Sequence, residues 1–272
     1  MGSLKYYPQL DALRAFAVIG VLVQHFYLYN SPLLSGVYGV RLFFVLSGFL
    51  ITSIILTHRE AMVDGGTSPG RVARNFFIRR SLRLFPPFYL SLCILIVASL
   101  ATGSNIGFIL DDWPFHFLYL TNVVIFVRDS WIGPLSHYWT LAVEEQFYLA
   151  WFWVVLLGKR SWLPGIVFGM FLLGPIYSAI VFAAGTNQLA ELLLPGCFDF
   201  LALGSFLGLM VHPAYQDILV RTRSFWINKS TLVGWIALAA GILAAWIDAT
   251  TNPNEAVYRI LWGPLTAFVF TW

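Results

Sequence analysis

The sequence predicts an all-α protein, a polytopic transmembrane helical bundle of about eight or nine helices. Of its 272 residues, 59% are hydrophobic and only 11% are charged, whereas in soluble domains about a quarter of the residues are charged. Apolar stretches of about 20 residues are long enough to cross a hydrocarbon core of ~30 Å as helices. Such unbroken stretches exclude a β-barrel, whose strands would alternate between apolar and polar residues.

Eight apolar windows reach this length. In chain order they cover residues 10–29, 38–57, 84–103, 138–157, 162–184, 192–211, 230–247 and 257–272. A ninth stretch, residues 113–127, is only fifteen residues long, so we expect it to lie in the interface or to re-enter the membrane. We expect residues 1–272 to be one transmembrane domain. Because the last window runs to the final residue, we expect the chain to be either a fragment or a short member of a longer family.

The placement of positive charge predicts the orientation of the chain. The connection between the second and third windows contains six arginines, and lysine and arginine accumulate in cytoplasmic loops. This connection, and with it the N-terminus, is therefore placed on the cytoplasmic side. Lys159 and Arg160 then also fall inside, whereas a spanning 113–127 segment would invert every later loop.

Within the first window, the apolar stretch from Leu13 to Phe26 carries Arg14 near one end and His25 near the other. Residues eleven positions apart differ by three helical turns plus about 20°, so both side chains share one helix face, about 16 Å apart along the axis. Cys93 and Cys197 lie within apolar windows and are interpreted as packing residues. We therefore predict no disulfide and no metal site, and the absence of nucleic-acid motifs predicts no nucleic-acid partner.

We predict that the ionisable residues within the windows, together with the arginines that open the third helix, form two layers at different depths. Each costs at least ~2.5 kcal/mol at mid-helix, so such residues are usually functional and usually face the bundle interior. The inner, cytoplasmic layer contains Arg14, Arg79, Arg80 and Arg83. The outer layer contains His25, Arg41, Glu144 and Glu145.

Structural interpretations of the same residues remain open. Arg79, Arg80 and Arg83 could only set the topology by reaching the lipid phosphates. Arg14 could pair with Asp11 one turn away, and His25 could be an interior histidine bonded to a neighbouring helix. The adjacent glutamates point about 100° apart, so one could face a cavity while the other pairs with Arg41 or a backbone group.

Four segments are similar, in order and spacing, to the motifs of the acyltransferase family 3 membrane proteins. They read LDALRAFAVIGVLVQHF, GVRLFFVLSGFLIT, FFIRRSLRLFPPFYL and YWTLAVEEQFYL, and a weaker match, LPGCFDFLALGSFLG, follows at residues 194–208. The resemblance covers roughly residues 8–210. It implies a multi-pass membrane enzyme that moves an acyl group, most often acetyl, onto hydroxyls of carbohydrates and related acceptors. In bacteria, such an enzyme is expected in the inner membrane.

By position, the resemblance marks three pairs of residues. Arg14 and His25 match the family's R-x10-H pair, Arg80 and Arg83 its RxxR pair, and Glu144 and Glu145 its glutamate motif. Two positions depart from the family pattern. Ala12 replaces the usual glycine, and Arg41 stands where an acidic residue is common, a reversal that could alter acceptor choice or local pairing.

The resulting hypothesis uses acyl-CoA, most often acetyl-CoA, as the donor. Guanidinium groups bind phosphates bidentately and stay charged, so the inner-layer residues Arg14, Arg79, Arg80 and Arg83 are assigned to the coenzyme A phosphates. The carbohydrate hydroxyl approaches from the outer side, where Arg41 is assigned to substrate binding, as is Asp11 on the first helix.

His25 is assigned as the general base, because a neutral imidazole can take a hydroxyl proton near pH 7. A covalent acyl-histidine is an alternative route. Glu144 or Glu145 would orient the imidazole or stabilise the imidazolium, as the acid does in a catalytic triad.

Two other classes of function fit the same residues. Buried charges could form a proton or anion path in a transporter or channel, where Pro86, Pro87, Pro175 and Pro195 could break the helices. The short chain is also consistent with a non-catalytic member of the family.

Overall fold

The computed structural model describes residues 8–26, 36–103, 106–186, 188–217 and 219–220, together with positions 224, 232, 235, 236 and 239. Every regular element in this part of the chain is helical. Six long helices are α1 (Pro8–Phe26), α2 (Gly36–Gly65), α3 (Pro69–Thr102), α7 (Tyr138–Leu157), α8 (Leu163–Ala183) and α9 (Phe198–Val211). Three short helices lie between α3 and α7, namely α4 (Gly107–Leu110), α5 (Trp113–Phe117) and α6 (Thr121–Arg128).

Five helical segments within the described residues are long and apolar enough to cross a membrane. They correspond to the second to sixth predicted windows and cover Tyr38–Gly65, Pro69–Thr102, Gly133–Leu157, Leu163–Ala183 and Leu194–Val211. The first window forms α1, which is not among these five segments. The windows 230–247 and 257–272 lie outside the described residues.

The stretch 113–127 forms two short helices and not a membrane span, as predicted. Residues Leu118–Leu120 separate α5 from α6, and neither helix exceeds eight residues. Its buried side chains join a cluster with the second half of α3 and the start of α7, including Phe88, Leu92, Ile125 and Ala142. The segment therefore covers the side of the bundle where α3 ends and α7 begins.

Helix α3 begins fifteen residues earlier than the predicted window 84–103, so the predicted start was wrong. The additional turns are amphipathic: Val72, Ala73 and Phe76 are buried at helical spacing. The arginines of the same turns, such as Arg71 and Arg74, leave no continuous apolar run. Phe76 stacks on Phe152 of α7 with ring centroids 4.7 Å apart. Pro86 and Pro87 do not break the helix, which is a common outcome inside membranes because neighbouring groups satisfy the freed backbone.

Helices α2 and α9 approach each other closely through glycines. A Cβ atom at Gly204 would collide with the carbonyl oxygen of Val45, and one at Gly48 with the carbonyl oxygen of Leu201. Small residues at helix crossings let backbones approach, which is how packing stabilises membrane bundles. The main core surrounds this contact and includes Phe44, Ile55 and Phe147.

We predict that Gly204→Ala destabilises the bundle, because the new methyl group meets a backbone oxygen that cannot move aside. The expected loss is about 1–3 kcal/mol, the usual cost of overpacking. Gly169→Ala in the middle of α8 is the matched control, since nothing lies within 4 Å of its Cβ position, and a helical Gly→Ala change normally stabilises slightly. Thermal unfolding in detergent measures both, and equal midpoints for the two variants would contradict the prediction.

Candidate active site

Glu144 lies in the second turn of α7 and is held by two hydroxyl groups. Ser47 of α2 donates from Oγ to Glu144 Oε1 at 2.6 Å. Tyr148, one turn further along α7, donates from Oη to Glu144 Oε2 at 3.1 Å. Both carboxylate oxygens therefore have a donor, and the bond from Ser47 joins α2 to α7.

Glu145 points to the other neighbouring helix and forms an ion pair with Arg80 of α3. The Nε of Arg80 donates to Oε1 of Glu145 at 2.9 Å, and about a fifth of each side chain is exposed. The same guanidinium stacks on the ring of Tyr148, with its central carbon 3.3 Å from the ring centroid. Ser47, Glu144, Tyr148, Arg80 and Glu145 thus form one continuous polar network, which we call the carboxylate network.

The carboxylate network corrects two sequence-based expectations. Arg80 was assigned to the inner layer and Glu145 to the outer one, but the 2.9 Å bond places both groups at one depth. The cause is the early start of α3, which puts Arg80 about 16 Å inside the helix and not at its opening turn. Arg80, and not Arg41 or a backbone group, is the partner of Glu145.

The network supplies the charge compensation that an apolar bundle demands. Taking an isolated carboxylate out of water costs several kcal/mol, so buried acids need a counter-charge and hydrogen bonds. Arg80 supplies the positive charge, and the stacked Tyr148 ring adds a cation–π contact. The arrangement fixes the rotation of α7 relative to both α2 and α3.

The remaining arginines predicted to bind coenzyme A lie apart from the carboxylate network. Arg79 and Arg83 flank Arg80 on α3 and are both exposed. Arg14 forms an ion pair with Asp11 at 3.5 Å, with 35% and 51% of the side chains exposed. This pair corresponds to the structural interpretation of Arg14, and it also assigns a partner to Asp11.

The other two predicted site residues lie near the ends of α1 and α2. The side chain of His25, in the last turn of α1, lies outside the described residues. The guanidinium of Arg41 lies over the ring of Phe200, 5.2 Å from its centroid. The neighbouring Asp199 is buried at the start of α9, where its carboxylate accepts the Phe200 N–H at 2.9 Å. Arg41 therefore lies beside a buried acid that the sequence analysis did not single out.

The contact between α1 and α2 sets the register of His25 relative to the carboxylate network. A Cβ at Gly39 would lie 2.6 Å from the carbonyl oxygen of Ala17 and 2.9 Å from Val21 Cγ2. Along α1, His25 lies about 12 Å beyond Ala17 and about 6 Å beyond Val21, and along α2 Ser47 lies about 12 Å beyond Gly39. In an antiparallel pair of helices these displacements have opposite directions, so His25 and Ser47 lie on opposite sides of the contact.

A reciprocal amide pair next to the network was also missed by sequence reasoning. Gln146 donates from Nε2 to Asn122 Oδ1 at 2.9 Å, and Asn122 donates from Nδ2 to Gln146 Oε1 at 3.3 Å. Asn122 also donates to the carbonyl of Leu192 at 3.3 Å. The amide pair therefore ties the segment before α7 to the helix that carries both glutamates.

One signal could have identified these additional residues. Ser47, Asn122 and Gln146 are polar side chains inside or beside apolar stretches, where each needs a partner.

Within the described part of the chain, no group of three His, Cys, Asp or Glu side chains is arranged to hold a metal ion.

We predict that Arg80→Met destabilises the protein by about 3–5 kcal/mol, because it leaves the Glu145 carboxylate buried without its counter-charge. The double variant Arg80→Met/Glu145→Met should recover part of this loss, since no uncompensated charge remains. Chemical unfolding in detergent measures both. Arg14→Met, at the more exposed pair, is the control and should cost less than ~1 kcal/mol. A double variant that is no more stable than Arg80→Met would contradict the assignment.

Comparisons with known proteins agree with the motifs that make up the site. The profile of the acyltransferase 3 family, described as an acyltransferase domain, matches residues 7–272. The peptidoglycan O-acetyltransferase OatA of Listeria monocytogenes is 36% identical over 201 residues, which is 68% of this chain and 30% of that protein. The O-acetyltransferase OatA of Staphylococcus aureus is 35% identical over 163 residues, which is 55% of this chain and 24% of that protein.

The matched region is thus less than a third of the length of these two relatives. No solved structure matches the chain. The family match covers nearly all residues, and five helices are apolar enough to span a membrane. The chain belongs to the acyltransferase 3 family and is a multi-pass bacterial membrane protein.

Proposed function

We propose that this protein is a membrane O-acyltransferase that moves an acyl group, most often acetyl, from acyl-CoA to a hydroxyl of a carbohydrate. The observation that carries the proposal is the carboxylate network, because it joins three separate family motifs at one place. Ser47 comes from the second motif, Arg80 from the third, and Glu144, Glu145 and Tyr148 from the fourth. The relatives named above support acetyl as the acyl group and peptidoglycan as one class of acceptor.

The orientation proposed from the sequence, with the N-terminus in the cytoplasm, has support in how the helix ends meet. Arg59 near the end of α2 donates from Nη1 to the carbonyl of Val155 in the last turn of α7, at 2.7 Å. Lys159 and Arg160 follow directly after α7, so these cations gather at one end of the bundle. Such an end is where cytoplasmic positive charge is expected.

In this orientation, acyl-CoA approaches from the cationic end. The exposed guanidinium groups of Arg79 and Arg83 are available to phosphate oxygens, and guanidinium binds phosphate as a two-pronged donor. Arg14 can also bind a phosphate group once its ion pair with Asp11 is exchanged for that contact. Arg80 is different, because Glu145 and Tyr148 already hold it. We assign Arg80, which lies between Arg79 and Arg83 along α3, to the point where the pantetheine arm leaves the phosphates.

His25 is the proposed general base. Its neutral imidazole takes the proton of the acceptor hydroxyl as that oxygen attacks the thioester carbonyl, and the thiolate of coenzyme A then leaves. The register of α1 on α2 separates His25 from Ser47 and hence from Glu144 along the helix axes. We therefore assign the two glutamates to hold Arg80 and Tyr148 beside the acyl donor, in preference to direct contact with the imidazole.

The carboxylate network favours an enzyme over a transporter. Transporter sites commonly lie where helices are broken and expose backbone groups. Here α3 runs through Pro86 and Pro87 without interruption, and α8 runs through Pro175. The charges in the network are bonded to one another across α3 and α7.

We predict that His25→Ala lowers acyl transfer by about 10²–10⁴-fold, the usual contribution of a general base. Transfer of acetyl from acetyl-CoA to a peptidoglycan-derived acceptor measures the effect, with membrane insertion checked in parallel. His58→Ala is the control, because His58 bonds only to the carbonyl of Ile54 in its own helix in the described structure. Substantial remaining transfer in His25→Ala would remove His25 from the mechanism.

We predict that Arg83→Gln weakens acyl-CoA binding about tenfold, as expected for the loss of one charge-assisted phosphate contact. The thermal stability should not change, since Arg83 is exposed. Arg71→Gln, exposed in the first turn of the same helix, is the control for general attraction between charges. An unchanged dissociation constant in Arg83→Gln, or equal weakening in both variants, would return Arg83 to a role in topology alone.

A further inference from the structure

Tyr119, between α5 and α6, has an unusual backbone conformation. Its φ is 57°, in the left-handed region that a side chain with a Cβ rarely adopts. Two contacts hold it there: the Tyr119 N–H donates to the carbonyl of His116 at 3.3 Å, and Gln146 Nε2 donates to the Tyr119 carbonyl at 3.1 Å. Strained residues that the surrounding structure fixes in this way are concentrated at functional sites.

The ring of Tyr119 is fixed as firmly as its backbone. It stacks on Phe88 with centroids 4.5 Å apart and on Phe85 with centroids 5.8 Å apart. Both phenylalanines belong to α3, where they follow the motif arginine Arg83 by two and five positions. The stack leaves only 9% of Tyr119 exposed.

The hydroxyl of Tyr119 has no hydrogen-bond partner among the described residues. Other tyrosines near it are satisfied: Tyr89 donates to the carbonyl of Phe117, and Tyr138 shares a bond with Ser91. A buried donor without an acceptor costs free energy. The hydroxyl of Tyr215 also lacks a hydrogen-bond partner among the described residues. Tyr215 lies beyond α9, however, where it interacts electrostatically with Arg59.

The position of Tyr119 relates this hydroxyl to the carboxylate network. Gln146, which holds its carbonyl, directly follows Glu145 on α7, and the stacked phenylalanines follow Arg80 on α3. Burial, with smaller contributions from Tyr89 and the negative charge of Glu145, raises the pKa of the Tyr119 phenol. The group therefore stays protonated and can act as a hydrogen-bond donor.

We propose that Tyr119 is a catalytic residue whose phenol donates a hydrogen bond to the carbonyl oxygen of the acyl group during transfer. The inference rests on the proposed acyltransferase function. As the acceptor oxygen bonds to the carbonyl carbon, the carbonyl electron pair moves to oxygen and the Tyr119 O–H stabilises that charge. The carbon–sulfur bond then breaks, the thiolate leaves and the carbonyl re-forms. Tyr119 keeps its proton throughout.

A short acyl group fits this place better than a sugar does. Phe85 and Phe88 stack on the Tyr119 ring and give the place an aromatic, apolar wall. An acetyl group has one polar acceptor atom and a methyl group, which match one donor in an apolar wall. A sugar ring carries several hydroxyls, and each of them would need its own partner.

Tyr119→Phe tests the proposal, because it removes one oxygen and keeps the stacked ring. We expect kcat for acyl transfer to fall about 10²-fold, as for loss of one oxyanion donor. KM for acyl-CoA should change by less than about twofold, and the melting temperature by no more than about a few degrees. Tyr89→Phe is the matched control, since Tyr89 lies in the same aromatic cluster with its hydroxyl satisfied by Phe117. It should retain wild-type kcat.

A second readout separates a donor role from a structural one. Infrared difference spectra of bound acyl-CoA labelled at the carbonyl should show a lowered carbonyl stretch in the wild type, and Tyr119→Phe should lose that shift. If the wild type transfers acyl groups but Tyr119→Phe keeps both its kcat and the shift, the inference is overturned. If the wild type transfers nothing to any hydroxyl acceptor, the proposed function itself fails.

Discussion

Two adjacent carboxylates inside an apolar bundle each need a bonding partner, and this is the constraint on which the rest of the structure depends. Glu144 and Glu145 point in different directions from α7, so one helix cannot satisfy both. Ser47 and Tyr148 bond the first, and Arg80 neutralises the second. Leaving either acid unpaired would cost several kcal/mol, so α2, α3 and α7 must meet at this point.

This requirement explains features that lie away from the acids. Helix α3 extends back to Pro69, and its amphipathic first turns pack Phe76 on Phe152, which supports Arg80 within the helix. The amide pair of Asn122 and Gln146 ties the short helices before α7 to the residue that follows Glu145. The same segment carries Tyr119, so the strain at that residue and the position of the acids have a common support.

The sequence predicted the parts of the fold that depend on apolar length alone. The window 138–157 matches α7 at both ends, and 162–184 matches α8 within one residue. The start of α3 could not be read from apolar length, because its buried residues alternate with arginines. The motifs singled out Arg80, Glu144 and Glu145 as candidates but not how they pair, since the choice between Arg41 and Arg80 as the partner of Glu145 depends on helix rotation. Tyr119 required coordinates, because one conformational angle and one missing bond distinguish it from its aromatic neighbours.

Membership of the acyltransferase 3 family gives the carboxylate network its chemical context. The most direct measurement is the transfer of radiolabel from acetyl-CoA to a peptidoglycan-derived acceptor by the purified protein and by its Glu145→Gln variant. This substitution keeps the side-chain volume and removes the charge that holds Arg80. The account predicts label on the acceptor with the wild type and its loss with the variant. No label on any acceptor, or equal labelling by both proteins, would contradict it.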